Sequence, residues 1–475
     1  LVGSEMCIRD RLKIQQHTVW TEMYTAALAD SYKRLIFHSL EREIRNELTE
    51  KAEKQAISIF AANLRQLLLQ QPVAGHTVLG LDPGYRTGCK AAVISPQGKT
   101  LATDALYITG SEKQKAQAEA GFLNLVNTYG VTLVAIGNGT ASYETEEFTS
   151  QMIEKHKLNI AYTIVSEAGA SVYSASKLAR EELPELDVSL RGAVSIARRV
   201  QDPLAELVKI EPKAIGVGQY QHDCPQKELD AALGAVVEDC VNAVGVDANT
   251  ASRSLLQQVS GLTATTAKNI VAYREENGPF TSRAQLKKVP KLGPKAFEQC
   301  AGFLRIPESK EILDNTGVHP ESYAAAKALL NLLGCKKGDD FSALTEKLNA
   351  YGLSKAAAEC AVGEPTLLDI AKELSKPGRD PRDELPAPIL RKDVLEMKDL
   401  KPGMVLTGTV RNVIDFGVFV DIGVHQDGLV HISEVCDRRL RHPSEVVKVG
   451  DVVKVVVLNV DEKRHRISLS MKQAK

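Results

Sequence analysis

Residues 401–435 read KPGMVLTGTVRNVIDFGVFVDIGVHQDGLVHISEV, and residues 466–472 read RISLSMK. VLTGTVRNV, FGVFVDIG and GLVHISEV are short runs of Val, Ile, Leu, Phe and Thr, with Gly-bearing turns between several of them. Such runs are strands. VVKVVVLNVD at 452–461 adds a fourth and RISLSM a fifth. Five strands in so short a tail predict a small five-stranded barrel of the oligonucleotide-binding (OB) fold over 401–475.

Several side chains in this tail carry chemistry. Phe416 and Phe419 flank the step Gly417-Val418, His431 sits on the third strand, and Asp461 and Arg466 bracket the last turn. An exposed aromatic on such a barrel stacks a nucleic-acid base, at roughly 1–3 kcal/mol each. Strict alternation puts residues three apart on opposite faces, so one phenylalanine belongs to the core unless Gly417 introduces a bulge. Both readings stand on periodicity alone. The tail holds twelve basic against nine acidic residues.

Upstream, SKPGRDPRDELPAPILRK (375–392) has four prolines and few large apolar residues, the composition of a linker over 375–400. Residues 306–374 form a helical segment. Residues 247–305 contain two related strings, LLQQVSGLTATTAKNIVAYRE and LKKVPKLGPKAFEQCAGFL, each a helix, a short hairpin and a helix. With the linking helix 226–246 they make a region 226–305 of tandem helix-hairpin-helix units. A helix N-terminus behind such a hairpin offers backbone N–H groups to a phosphate, and glycine permits close approach. Gly261 and Gly293 are the glycine candidates, and Lys291 and Lys295 add charge. Thr263 and Lys291 stand where a second glycine would be usual in each hairpin. The bland alternative is an ordinary helical hairpin, but the duplication and nine basic against four acidic residues favour phosphate contact.

Residues 74–225 alternate strands with helices and predict an α/β domain. HTVLGLDPGYRTGCKAAVISPQGKT (76–100) is a strand, a Gly-rich turn and a strand; VTLVAIGNGT and IAYTIVSEAG are buried strands ending in polar residues. Asp82, Glu167 and Asp202 come from separate elements and would hold magnesium for phosphodiester hydrolysis if they converged. From spacing alone they are more simply a turn former, a helix-terminal acid and a surface acid. Residues 12–73 are helical. Leu35, Ile36, Leu40, Ile44 and Leu48 mark one apolar face, and Ile57, Phe60, Leu64, Leu67 and Leu68 continue the pattern.

Lys and Arg total 59 and Asp and Glu 60, a net charge of −1, which excludes a protein that coats nucleic acid by bulk charge but not local basic faces. No uninterrupted apolar run reaches membrane-spanning length. The eight cysteines form no CxxC pair and read as reduced packing residues, without a structural zinc site. Residues 1–11 (LVGSEMCIRDR) share no periodicity with the helical residues after them and are expected to be a non-native lead, with an N-terminal portion expected to be missing.

The strings 401–435 and 466–472 closely resemble the RNA-binding domain named after ribosomal protein S-one. In that family two Phe, a His, an Asp and an Arg line the RNA face, which implies Phe416, Phe419, His431, Asp461 and Arg466 here; Arg464 and His465 are interchangeable with Arg466 because the last turn is one residue longer. Residues 74–225 resemble the YqgF/RuvC-type branch of the ribonuclease-H-like fold, which implies vestigial catalytic positions at Asp82, Glu167 and Asp202. Asn138 in IGNGT stands where resolvases of that superfamily use Glu. A neutral amide there weakens any bound metal. The domain order, with IGNGTAS, SEAGASVYSAS, LRGAVSIARR, DPLAELVKI and GVGQYQHD, resembles the Tex family of bacterial transcription accessory proteins. The resemblance implies a cytoplasmic nucleic-acid-binding protein linked to transcription. Together with the motifs it gives the expectation of a monomeric, non-catalytic binder of single-stranded RNA, with DNA as a second ligand, beside the transcription or translation machinery, without membrane contact and without a cofactor. The alternative is a metal-dependent nuclease requiring magnesium.

Overall fold

The computed structural model describes residues 19–474 apart from 336–340, 377, 379, 386, 389, 391–399, 415, 425–426, 439, 441, 449 and 462–465. Arg464 and His465, and the lead 1–11, lie outside the described residues. The chain divides into two compact units, Leu1–Asn63 with Val217–Ala232, and Leu64–Gly216 with Leu233–Lys475.

In the first unit, α1 (Val19–Ser31) and α2 (Phe37–Leu68) are joined by one π-helical stretch, Tyr32–Ile36. Asn63 donates its amide N–H to the Val217 carbonyl at 2.8 Å, and Phe60 packs so closely on Gly218 that no Cβ would fit there. The second predicted apolar run is buried at Ile57, Phe60, Leu64 and Leu68. The first is not a core face: Leu35, Ile44 and Leu48 are exposed among the described residues.

The second unit opens with a five-stranded sheet of order β3-β2-β1-β4-β5. Its strands are β1 (Val78–Asp82), β2 (Cys89–Ile94), β3 (Thr100–Leu106), β4 (Leu133–Gly137) and β5 (Ala161–Val165). The first three pair antiparallel, and β1, β4 and β5 run parallel. The sequence reading named every strand except β3, whose alternation is broken by Asp104 and by small residues. Between them lie α3 (Glu112–Tyr129) and α4 (Ser142–His156). Phe122 from α3 and Phe148 and Met152 from α4 cover one face of the sheet. Beyond β5 come α5 (Ala170–Ala175), α6 (Lys177–Glu182), α7 (Val188–Gln201) and α8 (Pro203–Leu207). α7 covers the other face through Ala193, Val194, Ile196 and Ala197. Gly80 makes this close approach possible, because a Cβ there would fall 2.2 Å from the Ala193 carbonyl oxygen.

α9 (Gln226–Val244) leads to two hairpins built from α10 (Arg253–Leu256), α11 (Ala264–Asn277) and α12 (Pro294–Cys300). The short strands β6 (Val246–Asp247) and β7 (Leu304–Arg305) pair in parallel and close this region on itself. α13 (Tyr323–Leu332), α14 (Leu344–Tyr351), α15 (Leu353–Glu359) and α16 (Glu364–Ser375) follow, around a core that includes Leu329, Leu344, Leu348, Leu367, Ile370 and Leu374. Arg283 fastens the two regions. It is 2% exposed, and its guanidinium donates to the carbonyls of Leu304 and Val318 at 2.7 Å each, to the Thr316 carbonyl, and to the Tyr323 hydroxyl at 2.9 Å. A buried charge is tolerated only with such saturation.

The tail closes into a five-stranded barrel in the order β10-β12-β11-β8-β9, with β8 (Val405–Ile414), β9 (Gly417–Asp421), β10 (Gly428–His431), β11 (Val452–Asp461) and β12 (Arg466–Ser470). Val410, Val418, Val420, Val430, Val455, Val457, Ile467 and Leu469 fill it. This is the OB-fold expected from 401–475. The stretch read as a linker is not solvated throughout: at the 3-10 turn Pro381–Glu384, Arg382 is buried against the α/β domain.

Candidate nucleic-acid interface

In β9 the inward residues are Val418 and Val420, both fully buried, so Phe419 points outward by alternation and is half-buried. Phe416 precedes the strand, escapes its alternation and is 54% exposed. Neither phenylalanine belongs to the core. No bulge at Gly417 is needed for this: the register shift lies on the neighbouring strand, between Val410 and Asn412 of β8, opposite Val420 and Phe419. Gly417 answers a different demand, since a Cβ there would come within 2.4 Å of the Val430 carbonyl oxygen.

Pairing registers extend this outer face across four strands. Phe419 stands opposite Leu429 of β10, Leu429 opposite Ser468 of β12, and Ser468 opposite Asn459 of β11. His431 lies two residues along β10, opposite Gly417, and is exposed; its Nδ1 is held 2.9 Å from the Ser433 hydroxyl. Arg466 lies two residues the other way along β12, opposite Asp461 of β11, and is exposed. The predicted residues Phe419, His431 and Arg466 thus share one outward surface, with Asp461 beside Arg466 and Phe416 at its end. A base can stack on the rings while the guanidinium meets a phosphate.

The hairpins divide their two special positions between them. The left-handed position is Gly261 in the first (φ 80°) and Lys291 in the second (φ 65°); the helix N-cap is Thr263 in the first and Gly293 in the second. The residues standing in for a second glycine thus have different tasks. Thr263 caps α11 with its own hydroxyl, reciprocated by Thr266. Lys291 occupies a conformation that costs a non-glycine residue of order 1 kcal/mol. Gly261 packs onto α12, where a Cβ would meet Gln299 at 2.5 Å, so its closeness is internal to the protein. Gly293 has open space around it and an ordinary φ of −73°.

The basic count of this region needs a correction. Arg283 is internal, Arg274 is half-buried and spends its guanidinium on the Ala248 and Ala251 carbonyls at 2.8 Å, and burial lowers the pKa of Arg305. The outward charge comes from Arg253, Lys268, Lys287, Lys288, Lys291 and Lys295, all exposed. Lys287 and Lys288 were overlooked as contact residues, although the Lys-Lys pair before the hairpin is visible in the sequence. Lys287 lies 4.8 Å over the Phe297 ring.

The three α/β carboxylates do not converge. Asp82 ends β1 and faces Gly192 of α7, where a Cβ would lie 2.4 Å from its Oδ2. Glu167 follows β5 and packs on Gly137 and Gly139; its N–H donates to Asn138 Oδ1 at 3.0 Å. These two acids sense one another, and burial together with the Glu167 charge raises the pKa of Asp82 to about 6. Asp202 lies ten residues beyond Gly192, ~15 Å along the helix axis. There it caps α8 through the Ala205 N–H and takes the Arg382 guanidinium at 2.7 Å. Spacing alone favours separate local roles for the three acids, and Asp202 has one here as the N-cap of α8. Arg199, buried on α7, donates to the Ser166 and Ala168 carbonyls on either side of Glu167. A crevice with two carboxylates, a neutral Asn138 and a nearby guanidinium does not fit a shared magnesium ion, and among the described residues no group of three acids, histidines or cysteines is placed to hold a metal.

Comparison with known proteins agrees with this anatomy. Residues 76–201 match the family model of the Tex protein YqgF-like domain, 241–305 a helix-hairpin-helix motif, 311–382 an HHH domain and 399–472 the S1 RNA binding domain. The helical segment after residue 306 is therefore a further hairpin domain, which its sequence alone had not suggested. Among relatives, the Bacillus subtilis protein YdcI is 55% identical over 95% of this chain and 63% of its own length. The transcriptional accessory protein Tex of Neisseria gonorrhoeae is 52% identical over 98% of this chain and 61% of its own length. The human S1 RNA-binding domain-containing protein 1 is 42% identical over 94% of this chain and 51% of its own length. The chain spans about three fifths of the first two relatives. With YqgF-like, helix-hairpin-helix and S1 domains in one order and this identity along nearly its whole length, the chain belongs to the Tex family.

Proposed function

We propose that this chain is the nucleic-acid-gripping part of a cytoplasmic transcription accessory factor, and that it works by binding rather than by catalysis. The barrel holds single-stranded RNA. Phe416 and Phe419 stack bases, His431 and Asp461 contact base or ribose edges, and Arg466, with Arg464 two residues before it in the sequence, meets the backbone. The hairpins add contacts that read no sequence: Gly293 lets a backbone phosphate approach, and Lys291 and Lys295 attract it, with the first hairpin at Gly261 serving mainly to brace the second. Duplex or single-stranded DNA is a second substrate for that surface, since phosphate is common to both.

The observation carrying this reading is the outward placement of both phenylalanines while Val418 and Val420 fill the barrel. Linking a stacking module to phosphate-binding hairpins raises the effective affinity of each. The α/β domain serves as scaffold, because Asp202 is committed to Arg382 and Asn138 carries no charge. Photo-crosslinking of 4-thiouridine RNA to the full chain tests the assignment. Crosslinks are expected in the peptides bearing Phe416–Phe419 and His431; crosslinks confined to 76–201 would refute it. That the chain works as a monomer is part of the same proposal, tested by its mass in solution.

A further inference from the structure

α3 and α4 lie side by side on one face of the sheet and leave between them a groove of about 940 Å³. Its floor is apolar: Ile108, Phe148 and Met152 are buried there. Its rims are acidic. α3 presents Glu112 and Glu119, and α4 presents Glu144, Glu147 and Glu154, against only Lys115 and Lys155. Both lysines are already matched: Lys115 to Glu112 at 3.0 Å and Lys155 to Glu119 at 2.6 Å, with His156 also on Glu119. Among the described residues no cation is paired with Glu144, Glu147 or Glu154; Glu144 takes the Tyr85 hydroxyl and Glu147 the Gln151 amide. The two rims have the same pattern, Glu112-Ala116-Glu119 and Glu147-Gln151-Glu154, acids seven apart with an uncharged residue between, so each row runs along its helix facing the other.

We propose that this groove is a docking site for a cationic amphipathic helix of a protein partner. An apolar floor between acidic walls complements a helix with an apolar stripe flanked by Lys and Arg, which is the helix-in-groove mode of recognition. The same walls repel a phosphate backbone, so this surface is distinct from the RNA-binding faces of the barrel and hairpins. The partner then rides on the scaffold domain while nucleic acid is held elsewhere.

The test uses the full chain and a fluorescent Leu/Lys peptide patterned as an amphipathic helix, with a scrambled peptide of equal charge as control. The patterned peptide is expected to bind, more weakly as salt rises, and the scrambled one at least tenfold less. Glu147→Lys with Glu154→Lys is expected to weaken binding about tenfold. Ala116→Trp, which fills the groove and leaves its charges in place, is expected to do the same. Both variants should keep the thermal melting and RNA affinity of the parent. Equal binding of the two peptides, or full binding to Ala116→Trp, overturns the proposal by showing attraction to charge alone. Concentration-dependent dimerisation that competes with the peptide also overturns it, assigning the groove to a second copy of this chain.

Discussion

Arg382 Nη1 donates to Asp202 Oδ1 at 2.7 Å, joining residues 180 apart in sequence, and the same guanidinium holds Asp380 at 2.7 Å. The arginine side chain is 6% exposed, whereas Asp202 is 41% exposed. This contact turns a stretch with linker composition into a strap across the α/β domain. It also engages Asp202, whose Oδ1 takes both the Arg382 guanidinium and the Ala205 N–H.

Removing the strap tests its weight. Breaking a buried pair costs 3–5 kcal/mol, but exposure of Asp202 screens this one, so Arg382→Ala is expected to cost about 1–3 kcal/mol. Thermal denaturation should show a lower midpoint with RNA affinity unchanged. An unchanged midpoint would mean that the contact contributes nothing to stability.

Asp82 gives a pH signature. Its pKa in the folded chain is about 6, raised above 3.8 by burial and then by Glu167. Between these values the folded state binds more protons than the unfolded one, so stability from this group is present below about pH 4 and lost as pH rises through 6. Asp82→Asn abolishes that dependence. The variant should gain on the parent between pH 4 and pH 7, ending ~2 kcal/mol more stable in chemical denaturation. Parallel pH profiles would count against the buried, charge-opposed environment described for this acid.

Arg283 is the centre of the hairpin region. Arg283→Ala leaves the Leu304, Val318 and Thr316 carbonyls without their donor and opens a cavity, at an expected cost of about 3–5 kcal/mol. Hydrogen exchange should report faster opening of α11 through α13. Protection equal to the parent's would show that other contacts carry this junction.

Lys291 sits at the exposed tip of the second hairpin. Lys291→Glu is expected to weaken RNA binding equally for all sequences and to reduce the slope of log affinity against log salt by about 1 or more. A loss selective for one RNA sequence would contradict a phosphate contact.

The barrel, the sheet and the hairpins were legible in the sequence because each rests on local rules: short runs of Val, Ile, Leu and Phe between Gly-bearing turns at 401–475, strands alternating with helices over 74–225, and the duplicated hairpin strings around Gly261 and Lys291. What stayed hidden depends on contacts distant in sequence. Nothing near Asp202 or Arg382 announces their pairing, and Arg283 looks like any surface arginine until Thr316 and Val318 fold over it. The place of Phe416 turned on where β9 begins, a boundary that periodicity does not fix. Counting charge along a segment likewise overstated its surface charge, since Arg274 and Arg283 point inward.

The central claim is that the outer face of the barrel holds RNA by stacking. It is tested most directly by titrating single-stranded RNA, at one fixed salt concentration, with the full chain and with Phe416→Ala/Phe419→Ala. Two stacking contacts at roughly 1–3 kcal/mol each predict a loss of about thirtyfold or more, with thermal melting of the barrel preserved because neither ring lies in its core. Unchanged affinity in a folded double variant would contradict the account.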